Sequence, residues 1–197
     1  WYHIAWSSTG TSSQLFINGV SIATIPTSGV NNTANNLQIG QTTTVGDYLN
    51  GYIDDLRITK GYARYTQNFT PPSQSFATQY ISTGYDANYA DVSLLLNGNG
   101  TNGSNTFTDL SSTPKTITAY GNAQISTAVK KYGTGSIAVN GSNYLTIPAN
   151  TKFAFGAGDF TVECWLNFTT LPSNNAFTFI STYANNGTAS GWAFQYR

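Results

Sequence analysis

The sequence predicts an all-β protein folded as an antiparallel β-sandwich. Short apolar and aromatic runs recur along the whole chain, and each is bounded by turn-forming Gly, Asn, Ser, Thr or Pro. No stretch has the apolar spacing of an amphipathic helix, so the crossover helices that parallel strands require are missing. Regularly spaced short strands without helices are typical of a sandwich or a jelly roll.

A hairpin at 14–23 is the strongest local signal in the first half of the chain. Its centre is the pair Asn18-Gly19, and Asn-Gly supplies the positive φ angles of a two-residue type I′ turn. We therefore expect Ile17 to pair with Val20. Further strands are expected at 1–6, 37–40 and 52–58, with a polar loop at 42–50 and one short helical turn at 61–65.

In the second half, the alternation within 160–168 assigns side chains to the two faces of a strand. It places Cys164 on an apolar face and Glu163 on the opposite face. We expect a buried, unreactive thiol at Cys164, and a single cysteine excludes an internal disulfide. The only histidine, His3, is expected to be a packed or surface residue of its strand and not a ligand, because one histidine forms neither a metal site nor a triad. Other strands are expected at 92–96, 116–119, 136–139, 144–147, 177–180 and 192–196.

Composition restricts the classes of function. Charged residues make up 8% of the chain and the formal net charge is zero, so there is no basic field to hold nucleic acid or an anionic membrane. No apolar run approaches the roughly 20 residues of a membrane-spanning helix. We therefore expect no nucleic-acid partner and no membrane insertion. The chain contains no methionine, so we expect it to be a processed product or part of a longer protein.

Four segments in both halves of the chain carry a family resemblance. They are Trp-Tyr-His-Ile-Ala-Trp at 1–6, Leu-Phe-Ile-Asn-Gly at 15–19, Gly-Tyr-Ile-Asp-Asp-Leu-Arg-Ile-Thr-Lys at 51–60 and Gly-Asp-Phe-Thr-Val-Glu-Cys-Trp at 158–165, with support from 63–65 and 69–72. Together they resemble the laminin-G-like, concanavalin A-like jelly rolls of phage tail, virion and bacterial surface proteins. The resemblance implies a concanavalin A-like sandwich in an extracellular, cell-surface or virion protein.

The order of these segments differs from the order in that family, where the counterpart of 92–96 opens the domain. We therefore expect 1–76 to be the C-terminal part of a laminin-G-like sandwich, 77–90 a linker, and 91–197 the N-terminal part of such a sandwich. Three explanations are open. The chain spans the junction of two tandem domains, which we favour, or it is one permuted domain, or a neighbouring chain completes it.

The adjacent acids Asp54 and Asp55 are the first candidates for chemistry, but we expect no catalysis from them. Neighbours on a strand point to opposite faces, and Glu163, the only glutamate, lies on another strand, whereas glycoside hydrolysis needs two convergent carboxylates. We expect Asp54 to share a face with Leu56 and to accept backbone hydrogen bonds from a loop. Arg57 is expected to share a face with Asp55.

Calcium is the one cofactor for which the sequence offers ligands. Hard cations prefer carboxylate, amide and carbonyl oxygens, and Asn97, Asn99, Asp109 and Asp159 supply such oxygens in expected loops. The alternative is that these side chains make the turn-forming hydrogen bonds typical of Asn and Asp.

Loop aromatics beside polar side chains suggest glycan binding, because sugar faces stack on rings and sugar hydroxyls pair with amides or carboxylates. The candidate residues are Asp47, Tyr48, Tyr183, Asn185 and Asn186. The alternative is that these tyrosines only cover sheet edges.

The leading functional hypothesis is a non-catalytic structural and adhesive module within a larger repetitive or fibrous assembly. Its expected partners are copies of itself, neighbouring domains of the same polypeptide, or cell-surface glycans. Two alternatives are kept, namely a glycan-cleaving enzyme on the concanavalin A-like fold and a purely architectural subunit without a ligand.

Overall fold

The computed structural model describes residues 1–26, 35–42, 48–78, 86–170, 177–185 and 189–196. These residues are almost entirely β-structure. The strands are β1 (Tyr2–Thr9), β2 (Ser12–Ile17), β3 (Val20–Pro26), β4 (Leu37–Ile39), β5 (Asn50–Lys60), β6 (Val92–Leu96), β7 (Thr118–Tyr120), β8 (Gln124–Ser126), β9 (Ser136–Asn140), β10 (Tyr144–Ile147), β11 (Asp159–Phe168), β12 (Phe177–Ser181), β13 (Ala184–Asn185), β14 (Ala189–Ser190) and β15 (Ala193–Tyr196). Two 3₁₀ helices lie at Tyr89–Asp91 and Thr151–Phe153.

The larger sheet contains eight of the described strands, in the order β3-β2-β1-β11-β5-β9-β8, with β6 also paired to β5. All of these pairs are antiparallel. The long strand β11 lies between β1 and β5, so strands from 1–76 and from 91–197 alternate across the sheet. The two parts therefore form one sheet within this chain. The division into 1–76, 77–90 and 91–197, and the choice among a tandem junction, a permuted domain and completion by a neighbouring chain, stay predictions.

The second sheet runs β15-β12-β4-β10-β7, and β13 and β14 form a separate two-stranded ribbon. Ring contacts fix how the two sheets stack. The ring centroid of Phe194 in β15 lies 6.2 Å from that of Trp6 in β1, and the ring centroid of Phe177 in β12 lies 5.8 Å from that of Phe168 in β11. Because β15 faces β1, strands β2 and β3 extend beyond the edge of the second sheet. We call residues 12–26 the overhanging hairpin.

A single large core lies between the two sheets and confirms the predicted antiparallel β-sandwich. The inward side chains of β11 are Phe160, Val162, Cys164 and Leu166, which is the apolar face expected from the alternation. Alternate residues on both sheets supply the rest, as the pleat requires. The other main contributors are Ile4, Trp6, Leu37, Ile39, Leu49, Ile53, Leu56, Ile58, Leu94, Leu96, Ile137, Leu145, Ile147, Phe153, Phe179, Ile180 and Trp192.

The outer face of the larger sheet is covered by residues 61–76, which we call the covering segment. It leaves β5, crosses β11 and β1, and reaches the overhanging hairpin, where the Phe69 N–H donates to the carbonyl of Gly19 at 2.9 Å. It then returns to β5 and β6, where Phe76 packs with Val92 and Leu95 in a second, smaller apolar cluster. The outer face of β11 is therefore buried, although its sequence is polar.

The predicted hairpin is confirmed, because Ile17 pairs with Val20 and the turn residues Asn18 and Gly19 have φ angles of 50° and 79°. The predicted helical turn at 61–65 is wrong. These residues form bends, because their backbone hydrogen bonds go to side chains of β1 and β11 and not to a helical turn. Strand β8 was not predicted. Across the described residues, none of the helices has the length and apolar character that crossing a membrane demands.

Candidate functional site

A buried cluster of charged side chains lies between the larger sheet and the covering segment. The Arg57 guanidinium donates to Oε1 of Glu163 from Nε at 2.9 Å and from Nη2 at 2.7 Å. The Tyr65 hydroxyl donates to Oε2 of the same carboxylate at 2.7 Å, and His3 Nε2 lies 3.3 Å from Oε2. Arg57 also donates to Asp86 at 3.1 Å. Both oxygens of Glu163 are therefore occupied by protein groups.

The electrostatics of this cluster keep Glu163 ionised. Burial by itself would raise the pKa of Glu163, but the nearby Arg57 and His3 side chains outweigh burial and lower that pKa to about 2. His3 is fully buried, as expected of a packed strand residue. Arg64 extends the cluster to the covering segment, where its guanidinium donates to both oxygens of Asp86. The cluster holds the covering segment on the sheet.

Asp54 holds a neighbouring loop through backbone hydrogen bonds, as predicted. One of its carboxylate oxygens accepts the N–H groups of Lys131 at 2.7 Å and Tyr132 at 3.0 Å. The other accepts the N–H of Asp55 at 2.8 Å. Burial raises the pKa of Asp54 to about 6, although these three donors oppose the shift.

The predicted face of Asp54 is wrong. Asp54 pairs with Trp165 on the outer face, whereas Leu56 points into the core between the sheets. The reason is a β-bulge at this point of the β5–β11 ladder, where Asp55 takes the left-handed φ of 47°. An extra residue in one strand shifts the alternation, so Asp54 and Leu56 fall on opposite faces.

Asp55 ties the end of the covering segment to β5. Its carboxylate accepts the Ser75 hydroxyl at 2.7 Å and the Phe76 N–H at 3.1 Å. The Arg57 guanidinium stacks 3.8 Å from the centre of the Phe76 ring, so Arg57 and Asp55 face the same covering residues, as predicted. Burial raises the pKa of Asp55 to about 7, and the nearby Asp54 charge adds to the shift while the Ser75 hydrogen bond opposes it.

The predicted calcium ligand Asp109 is surrounded by protein donors. One oxygen accepts the N–H groups of Leu95 at 3.0 Å and Ser111 at 2.9 Å. The other accepts the Ser111 hydroxyl at 2.9 Å and the Lys115 N–H at 2.9 Å, and the Lys115 ammonium lies 3.6 Å away. Asp109 therefore fixes a loop against β6.

The other three predicted calcium ligands are not gathered around Asp109. Asn97 accepts the N–H of Asn99 at 3.1 Å in a turn-forming hydrogen bond, and Asn99 in turn accepts from Thr134. Asp159 lies at the start of β11, opposite Thr9 of β1. Within the described ranges, no group of three or more His, Cys, Asp or Glu side chains has the arrangement of a metal site. Calcium binding stays a prediction.

The predicted glycan-binding residues lie in two places. Tyr48 precedes Leu49, whose N–H donates to the carbonyl of Gly40 just after β4. Tyr183 follows Thr182, whose carbonyl accepts the side chain of Asn35 just before β4. The two tyrosines are therefore anchored at opposite ends of β4. Asp47 and Asn186 lie outside the described residues, and of Asn185 only the backbone, in β13, is described.

An aromatic pair that the sequence did not identify lies on the outer face of the second sheet. Tyr120 of β7 and Tyr144 of β10 stack with parallel rings, 4.8 Å between centroids and 5° between planes. Thr118 and Thr146 form the neighbouring cross-strand pair on the same face. Tyr144 begins a predicted strand and Tyr120 directly follows another, but only the register of β7 against β10 brings them together, and the sequence does not determine that register.

Gln38 extends this polar row to β4, where it pairs with Thr146. Its side-chain Oε1 is buried without a hydrogen-bond partner among the described residues. An acceptor of this kind is uncommon in proteins and is satisfied by a donor from water or a ligand. We call Gln38, Thr118, Tyr120, Tyr144 and Thr146 the aromatic face.

A second feature missed at the sequence level is an apolar groove of about 410 Å³ at the edge of the sandwich. Its walls are the inner face of the overhanging hairpin, the start of β1, the end of β11, and β15. Rings and aliphatic side chains dominate the lining, and no charged residue contributes. The lining includes Tyr2, Leu15, Ile17, Ile22, Phe168 and Phe194.

Cys164 is buried in the core between the sheets, as predicted. Burial raises the pKa of its thiol well above the ordinary value, and the nearby carboxylates of Glu163 and Asp54 add to the shift. A thiol without thiolate character is a poor nucleophile.

Comparisons with known proteins relate the first part of the chain to one family model. No curated protein matches the sequence, and no solved structure matches it. One family model does match, and its match covers residues 1–67, from β1 through β5 to the first part of the covering segment. These residues thus match the concanavalin A-like lectin/glucanases superfamily, a laminin G family model, in agreement with the resemblance and with the observed antiparallel β-sandwich.

Proposed function

We propose that this chain is a non-catalytic β-sandwich module that binds glycans through the aromatic face, within an extracellular, cell-surface or virion assembly. The observation that carries the proposal is the stacked pair Tyr120 and Tyr144. Tyr120 is 46% exposed, and one face of its ring packs on Tyr144, so the opposite face, on the edge strand β7, is the flat apolar platform. Sugar rings have apolar faces that stack on such platforms.

Polar groups beside the platform match the hydroxyls of a sugar. The Thr118 side chain is exposed, and Gln38 offers a buried acceptor without a partner in the described part of the chain. Gln38 as a residue is half-buried, so a rotation of its side chain would bring the unsatisfied Oε1 to a sugar hydroxyl, and buried acceptors left unsatisfied are costly. The aromatic face therefore combines an apolar surface with directional polar groups, as small-ligand sites do.

Five of the seven described acidic side chains are engaged by the protein itself, which favours a binding module over a hydrolase. Asp54, Asp55, Asp86, Asp109 and Glu163 all accept hydrogen bonds from backbone or cationic groups of the protein. Glycoside hydrolysis uses two carboxylates that converge on one bond. The acids on the larger sheet instead anchor loops and the covering segment, and the aromatic face contains no carboxylate.

A glycan array followed by calorimetric titration of the best oligosaccharide tests the proposed function. We expect saturable binding that Tyr120→Ala weakens by about tenfold, since one lost stacking contact is worth about 1.4 kcal/mol. Tyr62→Ala is the matched control, because Tyr62 is also exposed but lies on the covering segment, and it should leave the affinity unchanged. Equal effects of the two variants, or no saturable binding, would contradict the proposal. Turnover of the oligosaccharide would support the hydrolase alternative instead.

A further inference from the structure

On one side of the sandwich the larger sheet is wider than the described part of the second sheet, so no described strand lies over part of its inner face. Strand β15 ends the second sheet above β1, so nothing in the described second sheet lies over β2 and β3. Val20 pairs with Ile17, which packs against the core, so both side chains point to the inner face. The overhanging hairpin thus presents its apolar inner side beside the free edge of β15.

Exposed apolar side chains are concentrated where β15 ends the second sheet and the overhanging hairpin continues beyond it, a surface that we call the step. Six large hydrophobic residues are exposed among the described residues, and four of them, Tyr2, Val20, Ile22 and Ile25, belong to β1 and the overhanging hairpin. Ile22 is 59% exposed, and it also lines the apolar groove together with Tyr2. Tyr2 and Ile22 thus connect the groove to the exposed apolar side chains of the hairpin, and an exposed apolar patch on a monomer marks an interaction site.

The described side chains on this side of the molecule carry no charge. Residues 1–46 and 164–196 contain no Asp, Glu, Lys or Arg, and the first charged residue of the chain is Asp47. Edge strands of isolated proteins are ordinarily protected by lysine, inward-pointing charges or proline. Strand β3 contains no charged residue, and its one proline is its last residue, Pro26. An edge strand without charged side chains fits a partner that is itself uncharged and apolar.

We propose that this step is the contact surface for a second copy of the same chain, related by a two-fold axis parallel to the strands. Such a rotation inverts the second copy, so its wide sheet lies level with the narrow sheet of the first. Each overhanging hairpin then fills the space beside β15 of the other copy. The apolar inner faces of the two hairpins pack together, as two facing sheets do at about 10 Å.

The shape and the charge of the surface both favour a copy over a different partner. A stepped edge is complementary to itself under a two-fold rotation, and an isologous contact uses one patch twice. An uncharged patch meets its own copy without repulsion, whereas it offers no electrostatic attraction to an anionic membrane or a charged protein. The contact involves neither the aromatic face nor its sugar, so a failed glycan assay would leave it standing.

The size of the step predicts a weak dimer. Strands of six or seven residues are about 20 Å long, and two of them span about 10 Å. The contact is therefore at the low end of specific protein interfaces, which bury about 1,200 Å² or less in transient complexes. We expect a dissociation constant of about 10–100 µM.

Sedimentation equilibrium of the 197-residue chain up to about 500 µM tests the contact. We expect a monomer–dimer equilibrium, and Ile22→Lys should raise the dissociation constant at least about tenfold, because it places a charge in the apolar contact. Tyr62→Lys is the matched control, since it makes the same change at an exposed residue of the covering segment, and it should leave the equilibrium unchanged. Near-ultraviolet circular dichroism of both variants checks that they are folded.

A self-cross-linking experiment tests the two-fold symmetry separately. Ile22→Cys introduces a thiol near the axis, whereas the natural Cys164 is buried. Mild oxidation should give a covalent dimer from Ile22→Cys and not from Tyr62→Cys. A monomer at every concentration would overturn the proposal and leave the surface to another chain. Species larger than a dimer, or a dimer that Ile22→Lys does not weaken, would also overturn it.

Discussion

Arg57 donates two hydrogen bonds to one carboxylate oxygen of Glu163, at 2.9 and 2.7 Å, in a place where both side chains are almost fully buried. The two residues lie opposite each other on β5 and β11. They join the larger sheet to the covering segment, because Tyr65 donates to the other oxygen of Glu163. A charge pair at the centre of a sheet's outer face is stable here because other protein groups satisfy its remaining hydrogen-bonding atoms.

We expect Glu163→Gln to destabilise the fold strongly. The change removes the carboxylate that accepts two hydrogen bonds from the buried Arg57 and leaves Asp86 as its remaining charged partner, and breaking one side of a buried pair costs about 3–5 kcal/mol. Urea unfolding followed by tryptophan fluorescence measures the free energy of unfolding. Lys130→Gln serves as the control, because its ammonium makes only an exposed hydrogen bond to Thr127, and it should change stability by less than about 0.5 kcal/mol. A loss below about 1 kcal/mol in Glu163→Gln would show that the cluster is not important for stability.

The burial of Glu163 shows what sequence reasoning could and could not provide. Alternation correctly placed Glu163 and Cys164 on opposite faces of β11, because that pattern depends on local backbone geometry. It did not show that both faces are buried, since the cover on the Glu163 side comes from residues 61–76. Covering contacts depend on long-range packing, which alternation within one strand does not encode.

The hairpin turn at Asn18 and Gly19 and the bulge at Asp55 also differ in whether the local sequence predicts them. Asn18 and Gly19 predicted their turn because only a few residues adopt positive φ easily. Asp55 also has positive φ, yet an Asp-Asp pair within an apolar alternation gives no comparable signal. The aromatic face needed the register of β7 against β10, and the overhanging hairpin needed the relative widths of two sheets. Both are properties of the assembled sandwich.

Stability should decrease as the pH rises from about 4.5 to 7.5. The pKa values of Asp54 and Asp55 are raised to about 6 and about 7 in the folded state. A raised pKa means that the folded state holds these protons more tightly than the unfolded chain does. The stabilisation is complete below the unfolded-state pKa of about 4 and is lost as the pH passes the folded-state values. We expect a loss on the order of 5 kcal/mol over this range, with the larger share from Asp55.

Urea unfolding at several pH values between 4.5 and 7.5 measures this dependence. Asp55→Asn should reduce the slope, because an amide does not titrate. The contribution of Glu163 to the free energy of unfolding depends on pH in the opposite direction, since the pKa of Glu163 is lowered to about 2. That contribution is present above about pH 4.5 and is lost only in stronger acid. A free energy of unfolding that stays constant or rises between pH 4.5 and 7.5 would contradict the raised pKa values.

Cys164 should not react with thiol reagents while the protein is folded. Its side chain is buried and its thiol pKa is raised by burial, so modification requires opening of the sandwich. We expect labelling by a chromogenic disulfide to be at least about 1,000-fold slower than in urea. Thr11→Cys is the control, because Thr11 is exposed in the turn between β1 and β2, and its thiol should label within minutes. Rapid labelling of native Cys164 would indicate an open or partly unfolded sandwich.

Gly19→Ala should destabilise the protein far more than Gly141→Ala. Both glycines have positive φ, 79° and 83°, so alanine introduces backbone strain of about 1 kcal/mol at either position. At Gly19 a Cβ would also overlap the carbonyl oxygen of Phe69, whereas at Gly141 the nearest atom is a side-chain carbon of Asn50 at 3.8 Å. The added clash would separate the covering segment from the hairpin tip, so we expect a loss of about 3 kcal/mol or more. Thermal and urea unfolding of the two variants measure the difference, and equal losses would show that Phe69 does not constrain the turn.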